Sequence, residues 1–258
     1  MIDKNAVVHP SAKVDEKAKI SPFAVIGADV EIGAGTWIGP HTVIKGPARI
    51  GRDNKIFQFA SVGEDPQDLK YNGETTFLEV GDRNVIREFC TIDRGTIQDK
   101  GKTVIGDDNL FMSYVHIAHD CCIGNHAIFA NNATLAGHVH VDDHVIMGGF
   151  AAVYQFCYLG IHSFISAGAL VTKDVLPFVK VAGVDSYAKP FGLNSVGLRR
   201  RGFDAKTRTM LKRAYKIIYR DGLICSEAIE KLRPMVKDCP EIDLFIKVLE
   251  NAKHGIVR

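Results

Sequence analysis

Apolar residues return at every sixth position along most of this chain. A first register runs without a break from Val8 to Val62, and a second runs through twelve successive positions from Ile105 to Val171. Between them the first register resumes at three positions, Val80, Ile86 and Ile92. Composition alone does not produce runs of this length, so the chain contains an internal repeat.

A period of six fits neither an amphipathic helix, with its period of 3.6, nor simple strand alternation. Glycine also recurs directly after the apolar position, as at Gly33, Gly51 and Gly106. One short strand and one corner per repeat explain both facts, with the apolar side chain pointing inward and glycine or a small polar residue at the bend. Stacked repeats then form a β-solenoid, a prism with a narrow Val/Ile core.

Two segments interrupt the repeat, and a solenoid tolerates insertions where they project from a corner. The first, residues 64–79, replaces two repeats without changing the register and mixes turn residues with charged ones. The second, residues 96–103, shifts the register by one residue and is polar, so we interpret it as a plain loop.

Helical patterning follows the repeat. Asp204 can cap a helix that reaches about Arg220 and carries an apolar stripe. A second helix is expected to begin at Ser226 and to break or kink at Pro234, and Pro240 fits the first turn of a third. The sequence therefore predicts a small helical domain at the carboxyl end.

Composition limits the function classes. The 258 residues carry a formal net charge of +2, which argues against a general nucleic-acid binder. Six cysteines without a CxxC pair favour a reduced, cytoplasmic protein. The amino terminus lacks the pattern of a signal peptide and no apolar run reaches about 18 residues, so we expect neither secretion nor a transmembrane segment.

The densest polar cluster in the second register is His116–Asp120, which lies between inward-pointing Ile117 and Ile123. A histidine beside an aspartate can act as a general base whose imidazolium the carboxylate stabilises. Two other interpretations stay open at this point. These residues can be solvated corner residues, or His116, His119 and His138 can bind zinc.

The repeat resembles that of the hexapeptide-repeat acyltransferases, in which an aliphatic residue is followed by Gly or Asp and, three positions on, by a small residue. The segment Ile32–Thr36 has this form. The resemblance implies a mainly β fold: a left-handed parallel β-helix with three hexapeptides per coil, in a trimer. The general crossover rule favours the opposite hand, so the hand is implied by resemblance alone. We expect this solenoid over residues 1–189 and the C-terminal α-helical domain over residues 190–258.

Longer segments point to one branch of that family. They resemble the UDP-N-acetylglucosamine O-acyltransferases, which catalyse the first step of lipid A synthesis. The matching segments are Gln67–Tyr71, His116–Asp120, Ala130–Val139, Gln155–Cys157, Pro190–Asn194 and Arg200–Phe203. The resemblance implies that an (R)-3-hydroxyacyl chain moves from acyl carrier protein to the glucosamine 3-hydroxyl of UDP-N-acetylglucosamine, with no cofactor and no metal.

The same resemblance assigns residue roles. His119 is implied as the general base, Asp120 as its orienting carboxylate, and the backbone N–H of Gly137 as the oxyanion donor. No covalent acyl-enzyme is needed, so Cys121 and Cys122 are interpreted as wall or core residues. The implied substrate-binding residues are Asp68, Lys70, His116, His138, Gln155, Asn194, Arg200 and Arg201.

Ala167 occupies the position that resembles the acyl-length ruler. Small residues there leave depth for a chain of about fourteen carbons or longer, because each buried methylene contributes roughly 0.8 kcal/mol. Residues 199–220 carry nine Lys or Arg against the single acid Asp204, a basic helical surface that would attract an acidic carrier protein.

The sequence departs from the family pattern at three places. Tyr154 replaces a histidine, Val196 replaces a glutamate expected near the uracil, and the segment between Phe178 and Lys189 is about two residues longer. Uridine contacts therefore differ from the pattern. The remaining alternatives are N-acylation of a 3-amino sugar, a zinc hydratase like the solenoid carbonic anhydrases, and a non-enzymatic ligand-binding solenoid.

Overall fold

A computed structural model describes residues 1–183 and 187–258 of the chain. The repeat region forms the predicted left-handed parallel β-helix. Each coil contains three short strands, and each strand pairs in parallel with the strand one coil later, as Val7 does with Val25 and Val14 with Ile32. The backbone hydrogen bonds of the strands therefore run between coils.

The strands among the described residues form three sheets, which follow one another around each coil. Sheet I contains Val7–Val8, Val25–Ile26, Val43–Ile44, Ser61–Glu64, Thr91–Asp93, His116–Ile117, Thr134–Leu135, Ala152–Val153 and Leu170–Val171. Sheet II contains Lys13–Val14, Val30–Ile32, Ala48–Ile50, Phe77–Val80, Lys102–Ile105, Cys122–Ile123, His140–Val141 and Tyr158–Leu159. Sheet III contains Lys19–Ile20, Trp37–Ile38, Lys55–Ile56, Val85–Ile86, Leu110–Phe111, Ile128–Phe129, Ile146–Met147, Phe164–Ile165, Val179–Ala182 and Lys189–Leu193.

The apolar residue of each repeat points into the prism. Ile38, Ile56, Ile86 and Ile117 are completely buried, as the period of six predicts. Burying such a side chain contributes about 1.5–3 kcal/mol, so a stack of these positions stabilises the solenoid along its length. The first coil is less covered, because nothing stacks below it.

The corners differ from the sequence prediction. Corner 1 joins sheet I to sheet II, corner 2 joins sheet II to sheet III, and corner 3 joins sheet III to the next coil of sheet I. Most left-handed corner positions hold side chains larger than glycine: at corner 1, Asp120, His138 and Phe156 have φ of 59°, 62° and 63°. Asp and His are among the residues that tolerate this conformation best.

The recurrent glycines serve close approach between coils instead. A Cβ on Gly51 would lie 2.4 Å from the carbonyl oxygen of Gly81 in the next coil. A real Cβ does not come this close to a carbonyl oxygen, so a side chain here would force the coils apart.

Both insertions project from corner 1. Residues 65–76 connect Ser61–Glu64 to Phe77–Val80, and residues 94–101 connect Thr91–Asp93 to Lys102–Ile105. We call them the first loop and the second loop. Since they leave the same corner in adjacent coils, they stand side by side next to the His116–Asp120 segment.

The carboxyl end is helical, as predicted. Helix α1 spans Ser195–Arg200, α2 Ala205–Tyr219, α3 Cys225–Leu232 and α4 Ile242–Asn251, and a 3₁₀ segment spans Arg233–Lys237. Asp204 caps α2 by accepting from the Thr207 N–H at 2.7 Å. Helix α1 was not predicted, because six residues are too few to show a period. None of the described helices is long and apolar enough to cross a membrane.

The helices pack on the last coils. The strand Lys189–Leu193 pairs antiparallel with Val179–Ala182, so it crosses the boundary predicted after residue 189. Val257 donates its backbone N–H to the Asp174 carbonyl at 2.9 Å, which returns the chain end to the solenoid. Residues 184–186, part of the segment predicted to be about two residues longer than the family pattern, lie outside the described residues.

Candidate active site

A polar cleft of about 610 Å³ lies at corner 1, between the two loops and the next two coils. It brings together three of the residue groups that the sequence singled out. The cleft is lined by Gln67, Asp68, Lys70, Gln98, Asp99, His119, His138, Gln155 and Phe156. A groove of similar size, about 630 Å³, lies on sheet II, but its Lys13 and Glu31 pair with each other and it contains no histidine.

His119 and Asp120 form a hydrogen-bonded pair at the centre of the cleft. His119 Nδ1 lies 2.9 Å from Asp120 Oδ2, and only 13% of the His119 side chain is exposed. The Thr96 backbone N–H donates to Asp120 Oδ1 at 2.9 Å, and its hydroxyl donates to Oδ2 at 2.7 Å. The carboxylate is thus fixed by the second loop, and the His119 ring is oriented by the carboxylate.

The surroundings of the pair shift the pKa values of both His119 and Asp120 in the direction that favours their charged forms. The hydrogen bond that His119 donates to Asp120 raises the pKa of His119 above its usual value, against the opposing effect of burial. Burial raises the pKa of Asp120, but hydrogen bonds from His119 and Thr96 outweigh it and hold that pKa below its usual range. Asp120 therefore stays ionised while His119 gains or loses a proton, the division of labour that a general base needs.

Gly137 lies directly against the His119 ring. A Cβ on Gly137 would stand 2.6 Å from His119 Cε1 and 2.8 Å from Nε2. Only a residue without a side chain leaves room for the imidazole in this position. In the described part of the chain, the Gly137 backbone N–H donates to no acceptor, so it is available to a ligand.

His138 completes a cluster of aromatic rings. It stacks on Phe156 at 4.5 Å between ring centroids and meets His119 edge-on at 5.0 Å. Its Nδ1 lies 3.3 Å from Asp99 Oδ2 of the second loop. The interpretation of His119 and Asp120 as solvated corner residues is wrong, because only 13% and 0% of their side chains are exposed.

His116 lies outside this cluster. It is half-buried on sheet I, where its Nδ1 lies 2.7 Å from the Thr91 hydroxyl oxygen one coil earlier. Burial lowers the pKa of His116, followed by repulsion from His119. Among the described residues, the group with metal-ligand spacing is His119, Asp120 and His138, within 4.8 Å. The predicted zinc set of His116, His119 and His138 is therefore not the set that converges.

The first loop carries Asp68 and Lys70 to the cleft. The Lys70 N–H donates to Asp68 Oδ1 at 3.0 Å, which closes a tight turn. Behind the turn, the buried Arg94 guanidinium donates to the Gly63 carbonyl, to the Asp65 carboxylate and, at 3.2 Å, to the Tyr71 hydroxyl. Arg94 thus clamps the loop to the solenoid.

A second buried carboxyl lies near the pair. Asp93 is 1% exposed, and burial raises its pKa to about 6, while Gln67 and His119 oppose that rise. Among the described residues, its Oδ2 atom has no hydrogen-bond partner. This carboxyl was not singled out in the sequence, where it is one of thirty acidic residues.

Of the four remaining expected site residues, one lines the cleft and three lie away from it. Gln155 lines it, but Asn194 is the buried cap of α1, with Oδ1 accepting from Gly197 N–H and Nδ2 donating to the His162 carbonyl, each at 3.1 Å. Arg200 and Arg201 end α1 and follow it. Arg201 lies close enough to His162 at corner 2 to lower its pKa, after the larger effects of burial and of the neighbouring His144.

Ala167 is exposed at corner 3, beside Gly168 at the left-handed position. Within one chain it is thus on a different edge of the prism from His119. Tyr154 and Val196, the two departures from the family pattern, are 56% and 53% exposed. Cys121 is buried in the core and Cys122 lies on the outer wall of sheet II, in accord with the wall-or-core interpretation.

The prediction that the second loop is a plain loop is wrong. Its Thr96 holds Asp120, which contacts the His119 ring, and its Asp99 contacts the His138 ring directly. Sequence reasoning missed them because the insertion has no period. The available signal was its place: it leaves the solenoid at the corner that also carries His119 one coil later.

Two family models match separate parts of this chain. Residues 102–137 match the family model described as bacterial transferase hexapeptide (six repeats), and residues 174–257 match the second domain of UDP-N-acetylglucosamine O-acyltransferase. A relative from Stutzerimonas stutzeri, named acyl-(acyl-carrier-protein)--UDP-N-acetylglucosamine O-acyltransferase, is 49% identical over 258 residues, covering 100% of this chain and 99% of its own.

Solved structures match as completely. The UDP-N-acetylglucosamine acyltransferase of Francisella novicida has a TM-score of 0.98 at 44% identity, over 100% of this chain and 94% of that one. The UDP-N-acetylglucosamine O-acyltransferase of Moraxella catarrhalis has a TM-score of 0.96 at 44% identity, over 100% and 99%. Since the similarity covers both the solenoid and the helices, this chain belongs to the UDP-N-acetylglucosamine O-acyltransferase family.

Proposed function

We propose that this protein transfers an (R)-3-hydroxyacyl chain from acyl carrier protein to the 3-hydroxyl of UDP-N-acetylglucosamine, the first step of lipid A biosynthesis. The observation that carries the proposal is the His119–Asp120 pair. His119 Nδ1 lies 2.9 Å from Asp120 Oδ2, and the His119 side chain lines the cleft of about 610 Å³. The family membership supplies the donor and acceptor, and the geometry supplies the base.

The sugar hydroxyl is a poor nucleophile until a base accepts its proton as the new C–O bond forms. His119 uses Nδ1 to contact Asp120, which leaves Nε2 for the hydroxyl. The proton moves to Nε2, the ester bond forms, and the thiol of the carrier leaves with a proton returned from the imidazolium. The fixed negative charge of Asp120 stabilises that imidazolium during the transfer.

The thioester carbonyl gains negative charge as the hydroxyl attacks. Gly137 packs against the His119 ring and its N–H has no acceptor among the described residues, so we assign this N–H as the donor to that oxygen. Asp68, Lys70 and Gln155 line the same cleft with acceptors and donors suited to an amide, hydroxyls and phosphates. No covalent acyl-enzyme, cofactor or metal is required in this scheme.

The direct test offers purified protein two acceptors, UDP-N-acetylglucosamine and its 3-amino analogue, with carrier-linked 3-hydroxyacyl chains of about ten to sixteen carbons. Mass spectrometry of the products is expected to show an ester with UDP-N-acetylglucosamine and best transfer at about fourteen carbons or longer. Product only from the amino acceptor would favour the N-acyltransferase alternative. No acyl product from either acceptor would exclude the proposal.

Gly137→Ala is expected to lower kcat by about ten-fold to a hundred-fold, because the added Cβ displaces the His119 ring from its position. Steady-state kinetics and thermal unfolding together check this. Gly149→Ala is the matched control, since its nearest neighbour to an added Cβ is at 3.3 Å. An unchanged kcat in Gly137→Ala with normal stability would contradict the assigned ring position.

We propose that the protein works as a homotrimer with sites between subunits. Three residues assigned to one site lie on three different edges of the prism: His119 at corner 1, Arg201 near corner 2 and Ala167 at corner 3. A single prism cannot bring its edges together, whereas a neighbouring copy can. The outward column of sheet III supports this, because it is apolar over five successive coils: Val85, Leu110, Ile128, Ile146 and Phe164.

The basic segment fits the carrier. Along α2, Lys206, Lys212, Arg213 and Lys216 are exposed, whereas Leu211, Ala214 and Ile218 are buried. In the described part of the chain, no basic residue of positions 199–220 forms a salt bridge. Free positive charge on one helix face attracts an acidic partner and raises its association rate.

We infer a cytoplasmic location, because the described cysteines are unpaired.

A further inference from the structure

The outer wall of sheet II carries a polar cluster that the proposed mechanism does not use. Cys122, His140 and Tyr158 are direct partners on three successive parallel strands, so their side chains form one outward column. The His140 ring stacks on the Tyr158 ring with 5.2 Å between centroids and 8° between planes. Val104, one coil before Cys122, is the uncharged neighbour on the other side.

An aspartate fixes the histidine. Asp142 Oδ1 lies 3.1 Å from His140 Nε2, and Oδ2 accepts from the Tyr158 hydroxyl and, at 3.3 Å, from the Ile161 N–H. The carboxylate is therefore held from two sides. With Nε2 directed to Asp142 and the ring stacked on Tyr158, His140 has a defined orientation toward its other neighbour, Cys122.

The charges of this cluster favour a thiolate. The hydrogen bond to Asp142 and then the adjacent Cys122, its direct partner on the neighbouring strand, raise the pKa of His140 to about 9. The adjacent His140 lowers the pKa of Cys122 below its usual value; Lys100 acts in the same direction, while burial and the charge of Asp142 oppose it. A cysteine beside a protonated histidine is the arrangement that activates thiols as nucleophiles.

The other cysteines provide a comparison within the same chain. Burial raises the pKa of Cys90 and Cys239 to about 11 and that of Cys121 and Cys157 to about 12. Cys225 is half-buried, as Cys122 is, but its polar neighbour is Arg258 at 3.5 Å and not a histidine. Cys122 alone among the described cysteines combines partial exposure with an imidazole partner.

The outer face of sheet II, which carries Cys122, is strongly polar in the earlier coils. In earlier coils, the same outward column of sheet II is charged, with Lys13, Glu31, Arg49 and Glu79 as successive partners. Lys13 and Glu31 pair at 2.7 Å with side chains 79% and 49% exposed. Charged columns resist burial between subunits, so the apolar column of sheet III is the better contact face, and we expect sheet II to stay accessible in the proposed trimer.

We propose that Cys122 is a covalent modification site for small soft electrophiles, with His140 as the residue that activates it and Asp142 as the residue that positions His140. In alkylation by iodoacetamide, the thiolate sulfur attacks the carbon that bears iodine, an S–C bond forms, and iodide leaves with the electron pair of the C–I bond. His140 keeps its proton throughout. This site is independent of the acyl transfer proposed above.

The test measures alkylation of each cysteine in the native full-length protein. Iodoacetamide is added at a series of pH values from about 6 to 9.5, and peptide mass spectrometry gives a rate for each site. At about pH 6.5, Cys122 is expected to react at least about ten-fold faster than Cys225, with the gap closing near pH 9.5. Equal rates of Cys122 and Cys225 at the lower pH would overturn the proposal.

Variants separate activation from simple exposure. His140→Asn is expected to slow Cys122 about ten-fold at pH 6.5 and to leave its rate near pH 9.5 unchanged, because the thiol then ionises unaided. His126→Asn, at an exposed histidine of corner 2, is the matched control. The rate of buried Cys90 in each sample reports any unfolding. An unchanged Cys122 rate in His140→Asn, with Cys90 still protected, would show that His140 does not activate the thiol.

Discussion

Replacing His119 with Ala is expected to lower kcat for acyl transfer by between about a hundred-fold and ten thousand-fold, because it removes the group proposed to take the proton of the sugar hydroxyl. His138 is the nearest imidazole, but its Nδ1 faces Asp99 at 3.3 Å and its ring is held against Phe156. The binding residues of the first loop are untouched. KM for UDP-N-acetylglucosamine is therefore expected to change much less than kcat.

The pH profile adds an independent check on His119. Its pKa is raised by Asp120, and only the deprotonated imidazole is a base, so kcat/KM is expected to fall as the pH drops through that raised pKa. The size of the assembly in solution should not change. His9→Ala, an exposed histidine in the first coil, is the control. Turnover by His119→Ala within a few fold of the parent would remove His119 from the role of base.

The solenoid could be predicted because its cause is local. Each repeat contains one aliphatic side chain that is stabilised by burial. Ile117 and Ile123 are buried in this way on either side of His119. Their inward direction fixes that the residues between them, including His119, lie at a corner. One-dimensional periodicity was therefore enough for the fold and for the edge of the prism on which the chemistry lies.

The details of the site depend on contacts that no period encodes. Thr96 reaches Asp120, which is 24 positions later, because the second loop folds back over corner 1. Asp99 reaches His138 across 39 positions for the same reason. The sequence also did not show which residue adopts the left-handed conformation at each corner. Glycine was expected there, whereas Asp120 and His138 adopt it. Such pairings follow from loop conformation, which the pattern of apolar residues does not determine.

The separation of Asn194, Arg201 and Ala167 from the cleft has the same origin. Their assignment to one site came from resemblance, and the resemblance carries no information about which subunit supplies each residue. Asn194 has both ends of its amide engaged within the chain, so its contribution to nucleotide binding is expected to be the placement of α1. This distinction required the three-dimensional structure.

Asp120→Asn is expected to lower kcat by about a hundred-fold to ten thousand-fold while leaving the cleft intact. In the parent, Oδ2 accepts from Thr96 Oγ1 and faces His119 Nδ1, and Oδ1 accepts from the Thr96 N–H. An amide can present its oxygen on one side only, and the Thr96 N–H, which cannot rotate, holds it at the Oδ1 position. The NH₂ group then faces His119 Nδ1 and makes that atom an acceptor. The imidazole proton moves to Nε2, so the nitrogen that faces the substrate is no longer a base.

The pH profile distinguishes this tautomer effect from general damage. Without the carboxylate, the pKa of His119 loses its largest upward contribution, so the acid limb of kcat/KM is expected to move to lower pH even as the plateau falls. Thr96→Val removes only the hydroxyl donor and should give a smaller loss of kcat. Asp15→Asn, in the exposed first coil, is the control. A low plateau with an unmoved acid limb would mean that Asp120 supports the fold of the corner and does not set the charge of His119.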